Sequence, residues 1–345
     1  MARERRGVDV WASAVATAVS VAVLAAIVLG SRGLRDFDAA LVGYATATVF
    51  LAFGVTYRYV VWLQSPPARH WFRRGWRSFL SFRNFRRSPS QVPRAVVGNL
   101  GFQRFIAARG AGRWLAHQAV FWGVVLATLV TFPLTFGWFR FETRSATSTD
   151  YDAFVAGFEL GAFDATSWFG WIVFHVLDLA AVLVIAGVAY FLWRRFRDRE
   201  LAVLQRLGHD LTPLVALVVI SATGLLLTFS SLALDGRYYD FLAILHMAAV
   251  VLTLLYIPFG KFFHVIQRPA SLGVQVAKQA ALDRDGPARC RRCGDPLETA
   301  EFLGDLQETM GELGLGFEGW TETCPRCKRL TRGAAYLEHV KDGFR

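Results

Sequence analysis

The stretch 241-FLAILHMAAVVLTLLYIPFGKFFH-264 is almost wholly apolar and carries two histidines, His246 and His264. The histidines are eighteen residues apart, which is about five turns at roughly 3.6 residues per turn, so a continuous helix would present both on one face. Their separation along the helix axis would be roughly 27 Å, close to the thickness of the hydrocarbon core of a bilayer. The stretch therefore predicts a membrane-spanning helix with one histidine near each side of the membrane.

The composition of the whole chain is that of a membrane protein. Hydrophobic residues make up 54% of its 345 residues and charged residues only 19%. Six apolar runs are long enough to cross about 30 Å as helices. These runs are Val10–Leu29, Ala39–Trp62, Leu115–Trp138, Trp168–Trp193, Leu211–Leu232 and Phe241–Val265. We expect an all-α integral membrane bundle. For the first run a cleaved signal peptide is the alternative, but its length and the lack of a clear cleavage site favour a retained helix.

The distribution of charge predicts the orientation of the bundle. Between Ser65 and Arg113 the chain has eleven arginines and neither Asp nor Glu, so the positive-inside rule puts this loop in the cytoplasm. By alternation the turn at 194–199 and the tail after Lys261 lie on the same side. The loop that contains Glu142, Asp150, Asp152, Glu159 and Asp164 lies outside. We expect a multi-pass protein of a prokaryotic cytoplasmic membrane, in which the net charge of +11 contacts anionic lipid rather than nucleic acid.

Four histidines fall inside the predicted spans at two depths. His117 and His264 lie near the inner side of the third and sixth runs, and His175 and His246 lie one to two turns in from the outer side. Ionisable side chains within a membrane are costly and usually functional, and neutral imidazole is a standard axial ligand of haem iron. The two pairs, His117 with His264 and His175 with His246, predict two b-type haems. The alternative is that they are core histidines hydrogen-bonded to neighbouring helices.

Other polar groups of the spans and loops have less specific interpretations. A zinc or copper site within the membrane is disfavoured because each depth supplies only two ligands. Asp178, three residues after His175, either orients that ligand or relays a proton, or it makes a polar contact with a neighbouring helix. His70, His209 and His339 are expected to be solvated surface residues.

The run from Leu245 through Pro258 and His264 to Pro269 resembles a known sequence pattern, with weaker matches at 50–59, 113–123 and 223–227. The pattern is similar to the last helix of the gamma subunit of respiratory nitrate reductase. It also resembles the membrane cytochromes of heterodisulfide reductase and of complexes linked to dissimilatory sulfite reductase. The resemblance covers roughly residues 39–269 and implies a five-helix cytochrome b core in which His246 and His264 bind haem, here preceded by one additional helix.

The chain departs from this family at the outer haem. Where the family has a second histidine about three turns after His117, this chain has Ala127 or Thr128, so His175 is the candidate replacement; without it the chain would keep one haem. The resemblance implies a subunit that transfers electrons between the quinone pool and a cytoplasmic iron–sulfur, molybdenum or flavin oxidoreductase. The implied organisation is an N-terminal helix with its outer loop at 1–38, a haem-binding domain at 39–269 and a cytoplasmic metal-binding domain at 270–345.

The tail contains all four cysteines of the chain, arranged as two C-x2-C motifs that are separated by thirty residues. They are Cys290, Cys293, Cys324 and Cys327. On the reducing side of a membrane, this spacing predicts a tetrahedral thiolate site rather than disulfides. We favour one structural zinc in a ribbon-like domain, because Leu297–Gly319 is expected to form an amphipathic helix. One iron, as in rubredoxin, is the alternative.

Functions of other classes remain open at this point. A six-helix transporter or membrane scaffold with a regulatory zinc-ribbon tail would need no haem. A zinc-dependent membrane enzyme is disfavoured, because four thiolates leave zinc no open position for water. The chain has no cysteine set for a cubane cluster and no Rossmann, molybdenum or flavin motif, so the cytochrome interpretation requires a separate catalytic polypeptide. Whether this chain itself counts as an enzyme is left open.

Overall fold

The computed structural model describes residues 8–82, 86, 89–145, 148–197, 207–316 and 319–343. The basic start of the chain, Arg83, Arg87 and the end of the turn after Arg197 lie outside the described residues. The chain divides into two compact units, Met1–Val60 with Phe102–Ile266 and Val61–Gly101 with Gln267–Arg345. The second unit thus combines the cysteine-containing tail with the arginine-rich loop after the second apolar run, a boundary that differs from the predicted domains.

Most of the described residues are helical. Numbered in chain order, the helices are α1 (Val10–Gly30), α2 (Val42–Leu63), α3 (Pro66–Phe79), α4 (Gln91–Ala95), α5 (Arg104–Ala107), α6 (Ala111–Thr135), α7 (Trp168–Arg197), α8 (Leu207–Asp210), α9 (Thr212–Ala233), α10 (Tyr239–Tyr256), α11 (Phe263–Gln267), α12 (Ala270–Asp285), α13 (Ala300–Glu312) and α14 (Pro325–Gly343). A 3-10 turn, Ala39–Leu41, precedes α2, and a π-helical segment, Val96–Gly101, follows α4.

Six of the described helices are long and apolar enough to cross a membrane. They are α1, α2 with its 3-10 turn, α6, α7, α9 and α10. The six predicted spans are therefore confirmed as helices of spanning length and composition. The sixth is shorter than predicted, because α10 ends at Tyr256 and a separate helix, α11, begins at Phe263.

The segment between the third and fourth spans forms a sheet, which corrects the all-α prediction. Its three antiparallel strands, in the order β1-β2-β3, are Phe139–Thr143, Asp150–Val155 and Phe158–Asp164. Aromatic side chains of the sheet, Phe141, Tyr151 and Phe163, pack against Phe174 in the second turn of α7, with ring centroids 5.0 to 6.0 Å apart. The residue after Phe174 is His175, so the sheet packs beside one of the predicted ligands.

Small residues let the third and fourth spans approach each other closely. A Cβ added to Gly123 of α6 would lie 2.8 Å from the carbonyl oxygen of Ala180, and one added to Gly187 of α7 would lie 2.5 Å from that of Ala116. Close backbone approach through small residues is the usual way in which helices associate in lipid. On its other side α7 packs against α9, which in turn packs against α10. The helices that carry His117, His175 and His246 are therefore connected through α9.

Charged contacts join α3 to α13 in the second unit. Arg74 donates two hydrogen bonds of 2.5 Å to the carboxylate of Asp305 and one of 2.8 Å to Glu301. Arg69 contacts both oxygens of Glu312, at 2.8 and 2.7 Å. The sequence shows both α3 and α13 to be amphipathic, but nothing in it indicates that they pair.

Candidate functional site

The two predicted outer histidines lie at equal distances from the starts of their helices. His175 is seven residues after Trp168, the first residue of α7, and His246 is seven residues after Tyr239, the first residue of α10. At about 1.5 Å per residue, each lies about 10 Å from the N-terminal end of its helix. Both helices follow segments that were predicted to be external, so the two histidines are matched in depth within the predicted topology.

The His175 ring is held in one orientation by its own helix. Its Nδ1 lies 2.9 Å from the carbonyl oxygen of Trp171, and its ring stacks on the Trp171 ring with centroids 4.6 Å apart. A carbonyl oxygen only accepts hydrogen bonds, so Nδ1 carries the proton and donates it. In the neutral imidazole, Nε2 then keeps its lone pair.

His246 adopts the same tautomer through a contact with α9. Its Nδ1 lies 2.9 Å from the hydroxyl oxygen of Thr223. That hydroxyl is also 2.7 Å from the carbonyl oxygen of Val219 and 3.0 Å from that of Ile220, and it donates its single proton in that direction. The hydroxyl oxygen therefore accepts the Nδ1 proton of His246, which leaves Nε2 with its lone pair.

The inner end of the sixth span is broken, which corrects the argument from eighteen residues on one continuous helix. Pro258 has no amide proton to continue the ladder of α10, and the chain turns before α11 begins at Phe263. His264 is exposed on α11, and its Nδ1 lies 2.6 Å from the carbonyl oxygen of Lys261. Here again the carbonyl accepts and Nδ1 donates. The prediction that His246 and His264 share one face of a continuous helix was wrong. In both imidazoles, however, Nδ1 carries the proton.

The break lies at a depth close to that of His117. Arg58 of α2 contacts the broken segment and lies five residues before Leu63, the last residue of α2, which corresponds to about 8 Å. His117 lies six residues after Ala111, the first residue of α6, which corresponds to about 9 Å. Within the predicted topology both helix ends are cytoplasmic. The match in depth between His117 and His264 is therefore inferred from the position of Arg58, which contacts the broken segment, rather than from one long helix.

Two other predicted polar residues have contacts that decide between interpretations. Asp178 accepts a 2.7 Å hydrogen bond from the Thr228 hydroxyl on α9, so it makes the polar contact with a neighbouring helix. His70 was expected to be a solvated surface residue, but its side chain is only 15% exposed and its ring nitrogens lie 3.2 Å from Glu312 and 3.7 Å from Glu308. Arg69 contacts both oxygens of Glu312, so the His70 ring lies beside an Arg69–Glu312 ion pair.

An apolar groove with a volume of about 560 Å³ lies between α9 and α10. Among the described residues that line it, the polar side chains are Thr212, Thr253 and Tyr256, and none is a histidine. Apart from Gly208 and Leu211, which precede α9, the lining residues come from the first half of α9 and the second half of α10, which is the predicted inner half of both helices. The groove is suited to a hydrocarbon chain, and it is separate from the predicted histidine pairs.

The four cysteines meet at one point in the second unit, as their spacing predicts. All four sulfur atoms lie within 4.8 Å of one another, and Cys293 Sγ is 3.5 Å from Cys324 Sγ. A tetrahedral zinc with bonds of about 2.3 Å requires sulfur atoms about 3.8 Å apart, so the cluster has the size of such a site. Cys290, Cys324 and Cys327 are buried, and Cys293 is exposed. The arrangement has the donor set and the geometry of a metal centre.

Local structure presents the sulfur atoms to one another. In the first motif a bridge between Arg289 and Pro296 closes a tight loop, and Gly294 takes a φ of +75°, which favours glycine. The second motif opens α14, with Pro325 as its first residue, so Cys324 and Cys327 lie at the positive end of the helix dipole.

Backbone amides also donate directly to sulfur. The amide of Cys324 lies 3.2 Å from Cys290 Sγ, and the amide of Cys327 lies 3.4 Å from Cys324 Sγ. Hydrogen bonds from the amides of Cys324 and Cys293 lower the pKa of the Cys290 thiol to about 6. Burial raises the pKa of Cys327. One sulfur is therefore readily ionised at neutral pH, which is the form that binds metal.

The predicted site residues thus have different outcomes. The four cysteines are brought together, whereas His117, His175, His246 and His264 lie on four separate helices, α6, α7, α10 and α11. Sequence reasoning did not assign roles to Arg58, Thr223 or Thr228. A signal existed for Arg58, as a lone arginine within an apolar run.

Comparison of the chain with protein-family models, curated proteins and solved structures found no match.

Proposed function

We propose that this protein is the membrane-anchoring, diheme b-type cytochrome subunit of an electron-transfer complex. His117 with His264 would hold the inner haem, and His175 with His246 would hold the outer one. The proposed role is transfer of electrons between the quinone pool and an iron–sulfur, molybdenum or flavin oxidoreductase on the cytoplasmic side. The single observation that carries the proposal is the common protonation state of three of these four histidines, His175, His246 and His264.

The donor set fits haem. In His175, His246 and His264, an oxygen atom of the protein accepts a hydrogen bond from the protonated Nδ1, so each Nε2 has a free lone pair. Metal-binding histidines typically donate their second ring proton to a backbone carbonyl or another oxygen, which fixes the tautomer and raises the basicity of the ligand. A structural histidine needs one hydrogen bond but no particular tautomer, so the ligating form in three of the four proposed ligands favours ligation.

The matched depths support the pairing of these ligands. His175 and His246 lie about 10 Å from the outer ends of their helices. His117 and Arg58, which contacts the broken segment before His264, lie about 8 to 9 Å from the inner ends of α6 and α2. When bound, haem supplies one-electron redox chemistry, and the protein sets its environment. The apolar helices exclude water, while Thr223 and the Trp171 carbonyl hold the imidazoles in their ligating tautomer.

The tail is proposed to hold one structural zinc. Four thiolates fill a tetrahedral shell and leave no open position, as in structural rather than catalytic zinc sites. Amide donation to sulfur is compatible with iron as well, so one iron in a rubredoxin-like site stays the alternative. The role that we propose for this domain is to stabilise the cytoplasmic side, where the soluble partner would bind.

A reduced-minus-oxidised spectrum of the full chain, purified in detergent, tests the function. We expect Soret and alpha bands of b-type haem, with two haems per chain by pigment extraction. Replacement of His175 by alanine should remove one haem and leave the other, while His209→Ala, an exposed histidine outside the spans, should keep both. A protein that is expressed at a normal level and has no haem bands would refute the cytochrome proposal. Unchanged haem content in His175→Ala would show that the assignment of His175 as a ligand of the outer haem is wrong.

One observation favours the second candidate, a six-helix transporter or scaffold. Transporters use broken membrane helices whose free carbonyls bind ions, and the sixth span is broken at Pro258. In this chain, however, the guanidinium of Arg58 already contacts the carbonyls of Pro258 and Gly260. A cation would have to displace that arginine. The absorption spectrum separates the two candidates, because a transporter needs no haem.

A further inference from the structure

The break in the sixth span leaves backbone carbonyls without the partners that a continuous helix would supply. Residues 257–262 lie between α10 and α11, and Pro258 lies within them. Backbone groups at membrane depth must be satisfied by other parts of the protein, because hydrocarbon offers no hydrogen bonds. The last carbonyls of a helix also carry the negative end of its dipole, so a cation is favoured beside them.

Arg58 of α2 supplies that cation. One of its guanidinium nitrogens, Nη1, lies 2.6 Å from the carbonyl oxygen of Pro258 and 3.2 Å from that of Gly260. The guanidinium carbon also lies 4.2 Å from the centre of the Phe263 ring, within the range of a cation–π contact. Arg58 therefore contacts three residues between the end of α10 and His264. They are Pro258, Gly260 and Phe263, the last of which directly precedes His264.

The same face of α2 is shaped to receive the broken segment. Gly54, one turn before Arg58, faces Pro258 so closely that an added Cβ would lie 2.7 Å from its Cγ. Phe50, a further turn away, packs near Phe259 with ring centroids 6.3 Å apart. The spacing of four residues between these positions places all three on one stripe of α2. The stripe supports the turn sterically, and Arg58 supplies the hydrogen bonds.

His264 depends on this turn for the orientation of its ring. Its Nδ1 donates to the carbonyl oxygen of Lys261, which follows Gly260 directly, and Phe263 beside it lies under the Arg58 guanidinium. Movement of the turn would therefore move the acceptor that fixes the imidazole plane. We propose that Arg58 is a positioning residue for His264: it holds the broken end of the sixth span and thereby sets the direction in which Nε2 of His264 points. This inference rests on the proposed role of His264 as a haem ligand.

The test uses the full chain in detergent and compares four variants. Arg58→Ala removes the cation, and Arg58→Lys keeps the charge but loses the planar group that can reach two carbonyls and a ring. Gly54→Ala disturbs the same turn sterically and leaves Arg58 in place. Gly43→Ala is the matched control, because it lies on the same helix and its added Cβ would make only an ordinary 3.5 Å contact with Met247.

The readouts are haem content, the low-spin electron paramagnetic resonance signal of each haem and the midpoint potential of each haem. The resonance signal responds to the angle between the two imidazole planes. We expect Arg58→Ala to lose the inner haem or to shift its signal and potential, while the outer haem is unchanged. Arg58→Lys and Gly54→Ala should shift the same haem by less, and Gly43→Ala should match the wild type.

The possible failures are distinguishable. Wild-type protein without haem overturns the proposed function and this inference with it. Wild-type protein with two haems, together with an unchanged inner-haem signal in both Arg58→Lys and Gly54→Ala, overturns the inference alone. If the Arg58→Ala protein does not accumulate in the cell, the inner-haem signals of Arg58→Lys and Gly54→Ala decide whether the inference holds. An equal change at both haems in these variants would show a general structural role for Arg58 and would also overturn the inference.

Discussion

Replacement of Arg74 by alanine should loosen the second unit. The Arg74 guanidinium is the charge partner of Asp305, whose side chain is only 8% exposed. Removing one partner of a buried pair costs about 3 to 5 kcal/mol, because the other charge stays buried. The Arg74 side chain itself is 39% exposed, so water screens the pair and reduces the cost. We therefore expect a loss of about 2 to 3 kcal/mol, which is roughly a thirtyfold to 150-fold rise in the opening equilibrium.

Thiol labelling of the full chain in detergent measures this effect. All four cysteines of the chain lie in the cluster of the second unit, and α13, which carries Asp305, connects the two cysteine motifs. The labelling rate of the three buried cysteines, Cys290, Cys324 and Cys327, under native conditions therefore reports opening of this unit, while the exposed Cys293 is left out of the rate. Arg73→Ala, an exposed neighbour on α3, is the control and should change the rate by less than about threefold.

A double variant separates the pair from other effects. Asp305→Ala in the Arg74→Ala background removes the orphaned carboxylate, so part of the lost stability should return, and the two substitutions should not be additive. The reasoning is refuted if Arg74→Ala labels no faster than Arg73→Ala. It is also refuted if the double variant is destabilised by the sum of the single effects, because the charges would then not be coupled.

Two further predictions concern the same unit. Metal analysis of the full chain should find one zinc per chain, and chelation should accelerate thiol labelling; a red protein that contains one iron per chain would support the rubredoxin alternative instead. The second prediction concerns pH. Burial alone would raise the pKa of Glu301, but Arg284 and Arg74 hold it below its ordinary value of 4.5. The ionised carboxylate therefore stabilises the unit above the unfolded pKa, and this contribution is lost as the pH falls through the lower, folded pKa. Below about pH 4.5 the labelling rate relative to that of a free thiol at the same pH should rise in the wild type and rise less in Glu301→Gln. An identical acid response of the two proteins would contradict the prediction.

The sequence was sufficient for the elements that depend on local composition. The six apolar runs and the two cysteine motifs are visible as patterns, and each appears in the structure as a helix of spanning length or a half of the four-sulfur cluster. The amphipathic helix between the motifs was also predicted, although α13 is shorter, at Ala300–Glu312. The small sheet was missed, because its alternating strands are short and lie between two strongly apolar runs.

The break in the sixth span shows why the rest was harder to predict. Proline alone does not mark such a break, since Pro133 lies inside α6 and that helix continues to Thr135. At Pro258 the helix ends, and Arg58 contacts the exposed carbonyl oxygen. These two residues are 200 positions apart in the sequence. No local pattern contains that information.

The sequence by itself determined which segments are apolar enough to cross a membrane and which four thiols form one cluster, because hydrophobic transfer and ligand spacing are local properties. Only the tertiary structure decided that Arg58 contacts the broken end of the sixth span, that Thr223 sets the tautomer of His246 and that Arg74 joins α3 to Asp305. The physical reason is the same in each case. A polar group removed from water needs a partner, and the partner comes from whichever distant helix the packing brings within hydrogen-bonding distance.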